Sequence, residues 1–295
     1  MKDTMSPPLF LFAQQSPTLL TNLAQSELWR IETVDVEGVS FQEKSLATVP
    51  VWDGRENPVA FVGCHRGHID WARRKLDGST LLLHFFHHGE KEGMGSPCSG
   101  TLGLSLSGAV ARYAMNLYPM VRKVMELSPW YQNSPSWSWR EGSTWCVCSR
   151  PNHRSESVRK RQRLMESKAS VKFFGEGQPM GFIGKDAKEK ILSSCSGYVS
   201  AVGPEGGFGL MEHEAMAAGC PVVGRWWGDF SEDAPDHPGL FGTDEEVLEA
   251  AIRISKDRAY AGLVSEAGLA YIRQHRTREK LDDSILDLLV DMGLR

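Results

Sequence analysis

The sequence from residue 203 to residue 223 reads Gly-Pro-Glu-Gly-Gly-Phe-Gly-Leu-Met-Glu-His-Glu-Ala-Met-Ala-Ala-Gly-Cys-Pro-Val-Val. It leads from a strand-like run, Tyr198–Val202, through a glycine-rich turn into a helical pattern, Leu210–Ala218, and then into a second strand-like run, Pro221–Val223. Glycines let backbone N–H groups approach a ligand closely, and a helix N-terminus favours an anion. The segment is therefore consistent with a diphosphate site, and equally with a structural tight turn.

The chain on both sides of this segment alternates between short apolar runs and helical patterns. In the first half, strands are predicted at Leu9–Ala13, Val59–Gly63 and Thr80–Phe86, and a helix at Pro17–Leu28. In the second half, strands are predicted at Thr144–Cys148 and Val171–Gly175, and helices at Ser155–Lys168, from Asp186, from Thr243, at 258–274 and at 277–292. Asp186 and Thr243 are each followed by a glutamate three residues later, which predicts that each caps its helix in a capping box. This alternation predicts an α/β fold built from βαβ units with mostly parallel sheets. The Gly- and Ser-rich stretch 92–108 is predicted to be a loop.

The length of 295 residues indicates two domains, each large enough to bury its own core. The composition changes to Ser, Pro and Trp between Leu127 and Gly142, which predicts an interdomain linker there. The predicted domains are residues 1–138 and 139–295, with the last helix as an element that can cross back to the first domain. Two such α/β domains place the expected ligand site in the cleft between them.

The charge of the chain argues against a protein whose main task is to coat nucleic acid, because 33 Lys and Arg against 37 Asp and Glu leave a net charge of −4. Residues 101–200 contain 15 basic and 7 acidic residues, whereas residues 201–250 contain 1 basic and 11 acidic. An anionic ligand is therefore predicted near the middle of the chain. No apolar run approaches the roughly 20 residues that cross a bilayer, and the cysteines are scattered, so we expect a soluble cytoplasmic protein.

The order of residues in 203–223 resembles the donor-binding signature of retaining glycosyltransferases with the GT-B fold, particularly their large family four. In that signature an acidic residue, Gly-Phe-Gly and Glu-Ala-Met-Ala-x-Gly-x-Pro-Val-Val follow in this order. The likeness extends over residues 143–290. It implies two Rossmann-like domains facing a cleft, the first on the acceptor side and the second binding the donor. The implied activity is transfer of a hexose from a UDP- or GDP-linked donor to an unidentified acceptor, with retention and without a cofactor.

The resemblance also implies roles for the signature residues. Glu214 is expected to hold the ribose of the donor nucleotide, and Glu205 is expected to act as the acid that faces the donor sugar. The donor is further expected to contact the turn and the helix start at Gly207, Phe208, Gly209 and Leu210. The family spaces its two glutamates eight residues apart, whereas Glu205 lies one residue too early. Glu212 is a candidate substitute, although two residues before Glu214 on a helix it should point elsewhere.

Two arginines after the first strand of the second domain are the candidate ligands of the diphosphate. Arg150 and Arg154 occupy this position, and a guanidinium pairs bidentately with phosphate oxygens. Such cations make a metal ion unnecessary for charge neutralisation. The alternative is that the basic run from Arg154 to Arg163 is a solvated helix face.

Five of the nine histidines fall within residues 65–88. The resemblance implies that His88 contacts the donor sugar or the leaving phosphate with His87 beside it, and that His65 and His68 line the acceptor side. A zinc site at His84 and His87 or His88 is the alternative, but no Cys or acid completes a familiar ligand spacing, and positions 84 and 87 face opposite sides of a strand. We therefore expect no metal.

Two other functions remain open at the level of sequence. One is a phage-type glucosyltransferase that acts on modified pyrimidines in DNA, which the compact first domain and the basic middle segment permit. The other is a nucleotide-sugar-binding protein without transferase activity, which the displaced Glu205 suggests.

Overall fold

The computed structural model describes residues 6–13, 17–36, 49–86, 102–139, 146–149, 163–168, 170–175, 180–181, 183–200, 209–226, 231–232 and 234–295. The chain divides into two compact units, here called unit 1 (Met1–Trp130 and Arg276–Arg295) and unit 2 (Tyr131–His275). The boundary lies earlier than the predicted 138/139. Residues 276–295 include the last helix, which the prediction allowed to cross back, and they belong to unit 1.

Unit 1 is built on a six-stranded parallel sheet with the order β2-β1-β3-β4-β5-β6. Its strands are β1 Leu9–Ala13, β2 Arg30–Val34, β3 Ala60–Gly63, β4 Leu81–Phe86, β5 Leu102–Ser105 and β6 Val124–Glu126. All five residues of β1 are buried, as expected for a central parallel strand covered on both faces. This explains why β1 is a continuous apolar run rather than an alternating pattern.

Helices of unit 1 follow the strands at α1 Pro17–Leu23, α2 Arg66–Lys75 and α3 Gly108–Leu117. The predicted loop 92–108 is wrong where it overlaps β5 and the start of α3. Gly103 is required by packing, because a Cβ there would lie 2.7 Å from the side chains of Phe86 and Val124. Ser107 caps α3 by accepting from the Val110 N–H at 3.1 Å. Gly103 and Ser107 therefore serve strand packing and helix capping.

Unit 2 is built on a five-stranded parallel sheet with the order β11-β10-β9-β7-β8. The strands are β7 Cys146–Ser149, β8 Val171–Phe174, β9 Gly197–Val199, β10 Val222–Arg225 and β11 Leu240–Phe241. Its helices are α4 Lys185–Ser194, α5 Leu210–Ala217, α6 Asp244–Ile254 and α7 Arg258–His275, and residues 163–168 are also helical.

The last helix, α8 Arg278–Asp291, belongs to unit 1. Its face of buried residues comprises Leu281, Ile285, Leu288 and Leu289. Polar contacts with unit 1 flank this face: the Ser26 hydroxyl donates to Asp282 at 2.6 Å, and Lys123 pairs with Asp291 at 2.7 Å. The C-terminal helix is thus an integral part of the first unit.

The predicted linker is not a free connection, because residues 131–139 are bonded to unit 2. The backbone N–H of Ser134 donates to the Ala217 carbonyl at 3.2 Å, and the Trp137 indole donates to the Cys195 carbonyl at 2.8 Å. Its serines and prolines form an irregular segment that docks through backbone hydrogen bonds. The change in composition therefore correctly indicated where the chain passes between the units, but this segment is packed on unit 2 and is not a free linker.

Candidate functional site

In the sheet of unit 2, β8 lies on one side of β7 and β9 lies on the other. The strand order therefore changes direction between β7 and β9, which are neighbours in the sheet although β8 lies between them in sequence. In open α/β sheets, ligands bind outside the carboxyl ends of the strands at such a switch point. The residues that follow β7 begin with Arg150, and those that follow β9 begin with Ser200 and continue into the signature. The topology of unit 2 alone therefore places the candidate site where the signature lies.

The helix that follows the glycine-rich turn is α5, with Gly209 as its N-cap residue. Gly209 makes no side-chain cap, and a Cβ at this position would overlap the Glu212 carboxylate. The backbone N–H groups of Leu210 and the next two residues have no partner within the helix, which is the property that suits this end to an anion. The space beside Gly209 is thus filled by a side chain that folds back over it.

Glu212 is that side chain, and it is buried. The Ser200 hydroxyl at the end of β9 donates to its Oε1 at 2.7 Å. Ser200 in turn packs on β10, where a Cβ at Gly224 would lie 2.8 Å from the Ser200 Cβ. The Glu212 carboxylate therefore lies at the switch-point edge of the sheet, and the expectation that it points elsewhere than Glu214 agrees with its contact.

Glu214, the predicted ribose ligand, forms an ion pair with Lys188 on α4. Both side chains are mostly buried, with exposed fractions of 13% for Glu214 and 16% for Lys188. Lys188 is not among the site residues predicted from the sequence. A lysine in the first turn of the helix that precedes β9 is the signal that could have found it, because that helix begins at the same edge of the sheet.

Unit 1 has its own switch point between β1 and β3, and His65 follows β3 there. His65 is half-buried at the start of α2, and burial lowers its pKa below the usual value of 6.5. An uncharged imidazole is therefore favoured at neutral pH. This position is compatible with the predicted acceptor side.

His68 is fully enclosed, at 1% exposure. Its Nδ1 accepts from the Cys64 backbone N–H at 3.3 Å, so its proton is on Nε2. Its Cβ lies where a side chain on Gly63 would be, at 2.7 Å. These contacts give His68 a structural role, and His65 is the more accessible of the two.

His84 lies in β4 and is also buried, with its ring 4.7 Å from the Phe86 ring. Among the residues that the structure describes, no group of three or more His, Cys, Asp or Glu side chains is arranged to hold a metal ion.

Seven of the predicted site residues lie outside the described residues: His87, His88, Arg150, Arg154, Glu205, Gly207 and Phe208. The structure describes Gly209, Leu210 and Glu214 on the donor side, and brings them together on α5. It also describes His65 and His68 on the acceptor side, at the start of α2.

Comparison with known proteins identifies the fold. Neither a protein-family model nor a curated protein sequence matches the chain. Among solved structures, Anabaena HepE in complex with UDP-glucose matches with a TM-score of 0.61 at 14% identity, over 96% of this chain and 99% of that one. A DNA-modifying β-glucosyltransferase matches with a TM-score of 0.63 at 9% identity, over 97% of this chain and 99% of that one.

TarM of S. aureus is a longer protein and matches with a TM-score of 0.59 at 14% identity over 78% of this chain. The aligned region spans only 54% of TarM, about half its length. The chain therefore has the α/β fold with parallel sheets in two domains that GT-B glycosyltransferases have, which confirms the predicted fold class. In the described part of the chain, no helix combines the length and the apolar character needed to cross a membrane.

Proposed function

We propose that the protein is a glycosyltransferase that transfers a hexose from a nucleotide sugar to an acceptor with retention of configuration. One observation carries the proposal: the signature segment enters α5 at the switch point of unit 2, and Glu214 lies on this helix five residues after its N-cap residue Gly209. HepE and the β-glucosyltransferase, which share the fold, are described in complex with UDP-glucose and with uridine diphosphoglucose.

In the proposed reaction, the bond between the anomeric carbon and the diphosphate oxygen breaks, and a bond from that carbon to an acceptor hydroxyl forms on the same face. The acceptor proton leaves with the diphosphate. Charge develops on the departing diphosphate, where the N–H groups of α5 and the guanidinium groups of Arg150 and Arg154 stabilise it. Glu214 binds the ribose, and Glu205 and His88 hydrogen-bond the sugar.

Mass spectrometry after incubation with a panel of UDP- and GDP-sugars tests the activity, because it detects both donor hydrolysis and transfer to an acceptor pool. We expect one donor to be consumed. NMR of the anomeric proton in the first product then distinguishes retention from inversion. A donor that binds but is never consumed with any acceptor would instead favour the non-catalytic nucleotide-sugar-binding protein.

DNA is the second candidate acceptor, and the match to the DNA-modifying β-glucosyltransferase favours testing it. Duplex DNA containing hydroxymethylated cytosine is the substrate, and unmodified duplex of the same sequence is the control. Binding through phosphate contacts weakens steeply with added salt. Transfer to the modified duplex alone would assign DNA as the acceptor, and equal, salt-insensitive behaviour of both duplexes would exclude it.

A further inference from the structure

His213 stands between Glu212 and Glu214 in the signature, and the proposed donor contacts do not use it. Its side chain is buried at 2% exposure. Its Nδ1 lies 2.6 Å from the Gly209 carbonyl oxygen, and its Nε2 lies 3.1 Å from the Tyr271 hydroxyl. A carbonyl only accepts, so Nδ1 carries a proton, and in the neutral ring Nε2 accepts from Tyr271.

The Gly209 carbonyl is held by two donors, because the backbone N–H of His213 also reaches it at 3.2 Å. Two donors fix the orientation of the peptide that joins Gly209 to Leu210. In a trans peptide the N–H points opposite to the C=O, so the Leu210 N–H is directed out of the N-terminus of α5. His213 therefore sets the direction of a backbone donor that the proposed function assigns to the diphosphate.

The His213 ring is also the centre of an aromatic stack. The Tyr131 ring lies 5.7 Å from it at an interplanar angle of 20°, and the Tyr271 ring lies 5.5 Å from it. The His275 ring follows at 5.0 Å from Tyr271. Tyr131 is the first residue of unit 2 and His275 is the last, so the stack joins both points at which the chain enters and leaves this unit.

We call residues 131–137 and 271–275 the crossing segments. The backbone N–H groups of Ser136 and Trp137 donate to the Ala218 carbonyl, at the C-terminal end of α5. The second crossing segment is the C-terminal end of α7. This helix packs closely on α5, as shown at Gly268, where a Cβ would lie only 3.0 Å from the Met216 Cγ. Both crossing segments are therefore attached to the helix that begins at the glycine-rich turn.

We propose that His213 is a positioning residue that couples nucleotide binding to the crossing segments. The inference rests on the proposed function, since it requires a nucleotide at the turn. A phosphate held by the Leu210 N–H favours the peptide orientation that His213 stabilises, and an ordered His213 favours the stack that holds Tyr131 and Tyr271. Ordering one part lowers the cost of ordering the other, which is the basis of coupling without a new contact.

Hydrogen–deuterium exchange on the full chain, with and without UDP and in parallel with and without GDP, tests the coupling. In the wild-type protein we expect the bound nucleotide to slow exchange in both crossing segments by about fivefold, the effect of one hydrogen bond of typical strength. Tyr271→Phe removes the hydroxyl that holds Nε2 and should abolish this slowing. His213→Asn keeps a donor for the Gly209 carbonyl but removes the hydrogen bond to the Tyr271 hydroxyl. It should therefore also abolish the slower exchange.

The matched control is Tyr260→Phe on the same helix, because the Tyr260 hydroxyl donates to the Pro238 carbonyl at 3.1 Å instead. This variant should keep the wild-type response. Equal slowing in Tyr271→Phe and Tyr260→Phe would overturn the coupling, as would a wild-type protein that binds UDP or GDP without slower exchange in the crossing segments. A wild-type protein that binds neither nucleotide would overturn the proposed function and the coupling together.

Discussion

Glu214 has two explanations at the scale of the single residue: a ligand of the donor ribose, or only the structural partner of Lys188. The two differ in their response to the ribose hydroxyls. If Glu214 accepts from them, Glu214→Ala should weaken nucleotide binding by about 1.5–3 kcal/mol, as for a hydrogen bond to a charged group. Titration calorimetry with UDP and with its 2′,3′-dideoxy analogue separates the explanations.

The wild-type protein should prefer UDP over the dideoxy analogue, and Glu214→Ala should lose that preference. Because removal of Glu214 leaves the Lys188 ammonium mostly buried, the double variant Lys188→Ala/Glu214→Ala removes both charges and should show the same loss. Lys190→Ala on the same helix is the exposed control. A preference that survives in Glu214→Ala would make the ion pair purely structural.

His237 predicts a pH dependence of stability. Burial lowers its pKa from 6.5 to about 4, and its Nδ1 accepts from the Gly239 N–H at 3.0 Å. Because the unfolded chain binds a proton more readily, this residue stabilises the fold above pH 6.5, and the contribution is lost as the pH falls towards 4. Between pH 7 and pH 5 the loss amounts to about 2 kcal/mol.

Urea denaturation at both pH values measures this loss, and in His237→Gln the difference between pH 7 and pH 5 should shrink by about that amount. His65 in unit 1 provides a comparison, because it is more exposed than His237. We expect His65→Gln to change the pH dependence of stability less than His237→Gln does. A His237→Gln variant whose stability still falls as steeply between the two pH values would show that other groups cause the fall.

At the scale of the element, two helix starts with the same sequence pattern differ in the structure. Thr243 forms a complete capping box, since its hydroxyl accepts from the Glu246 N–H at 3.2 Å and the Glu246 carboxylate accepts from the Thr243 N–H at 2.8 Å. Asp186 was predicted to open α4 in the same way, but the N-cap residue is Gly184 and it makes no side-chain cap. That prediction is wrong because α4 begins one residue before Asp186.

Thr243→Ala should therefore destabilise unit 2 by about 1 kcal/mol, the usual cost of a lost N-cap. Asp186 is exposed, so Asp186→Asn removes only a solvated charge near the helix dipole and should cost less, about 0.3 kcal/mol. Chemical denaturation of the two variants side by side measures the difference. An equal cost would contradict the assignment of the two caps.

The same contrast explains how much of the fold and the site could be predicted. The β1 boundaries agree with the prediction, because a buried parallel strand is a continuous apolar run. By contrast β2, with its polar residues Arg30, Glu32 and Thr33, was missed, since it lies at the edge of the sheet and gives only a weak alternating pattern. The position of Glu214 on α5 could be predicted from the signature. Lys188, which pairs with Glu214, and Tyr271, which bonds to His213, could not, because they are distant in sequence and reach these partners only through packing.

At the scale of the whole molecule, residues 276–295 belong to unit 1, whereas the residues directly before them belong to unit 2. Four fully buried side chains of α8 lie in this segment: Leu281, Ile285, Leu288 and Leu289. At about 1.5–3 kcal/mol each, their burial contributes on the order of 6–12 kcal/mol, as much as the net stability of a typical domain. Unit 1 should therefore not fold without this C-terminal segment, although it is continuous in sequence with unit 2.

Deletion of residues 276–295 is the corresponding experiment, and deletion of 293–295 alone is its control, because those residues follow α8 and Leu294 is 41% exposed. Calorimetry with and without UDP assigns the transitions, since a ligand raises the melting temperature only of the unit that binds it. The long deletion should remove the transition whose melting temperature UDP does not change, and keep the transition whose melting temperature UDP raises. The short deletion should keep both transitions. If the long deletion abolished the UDP-responsive transition instead, α8 would stabilise the unit that binds the donor. The folding units would then correspond to residues 1–138 and 139–295 rather than to units 1 and 2.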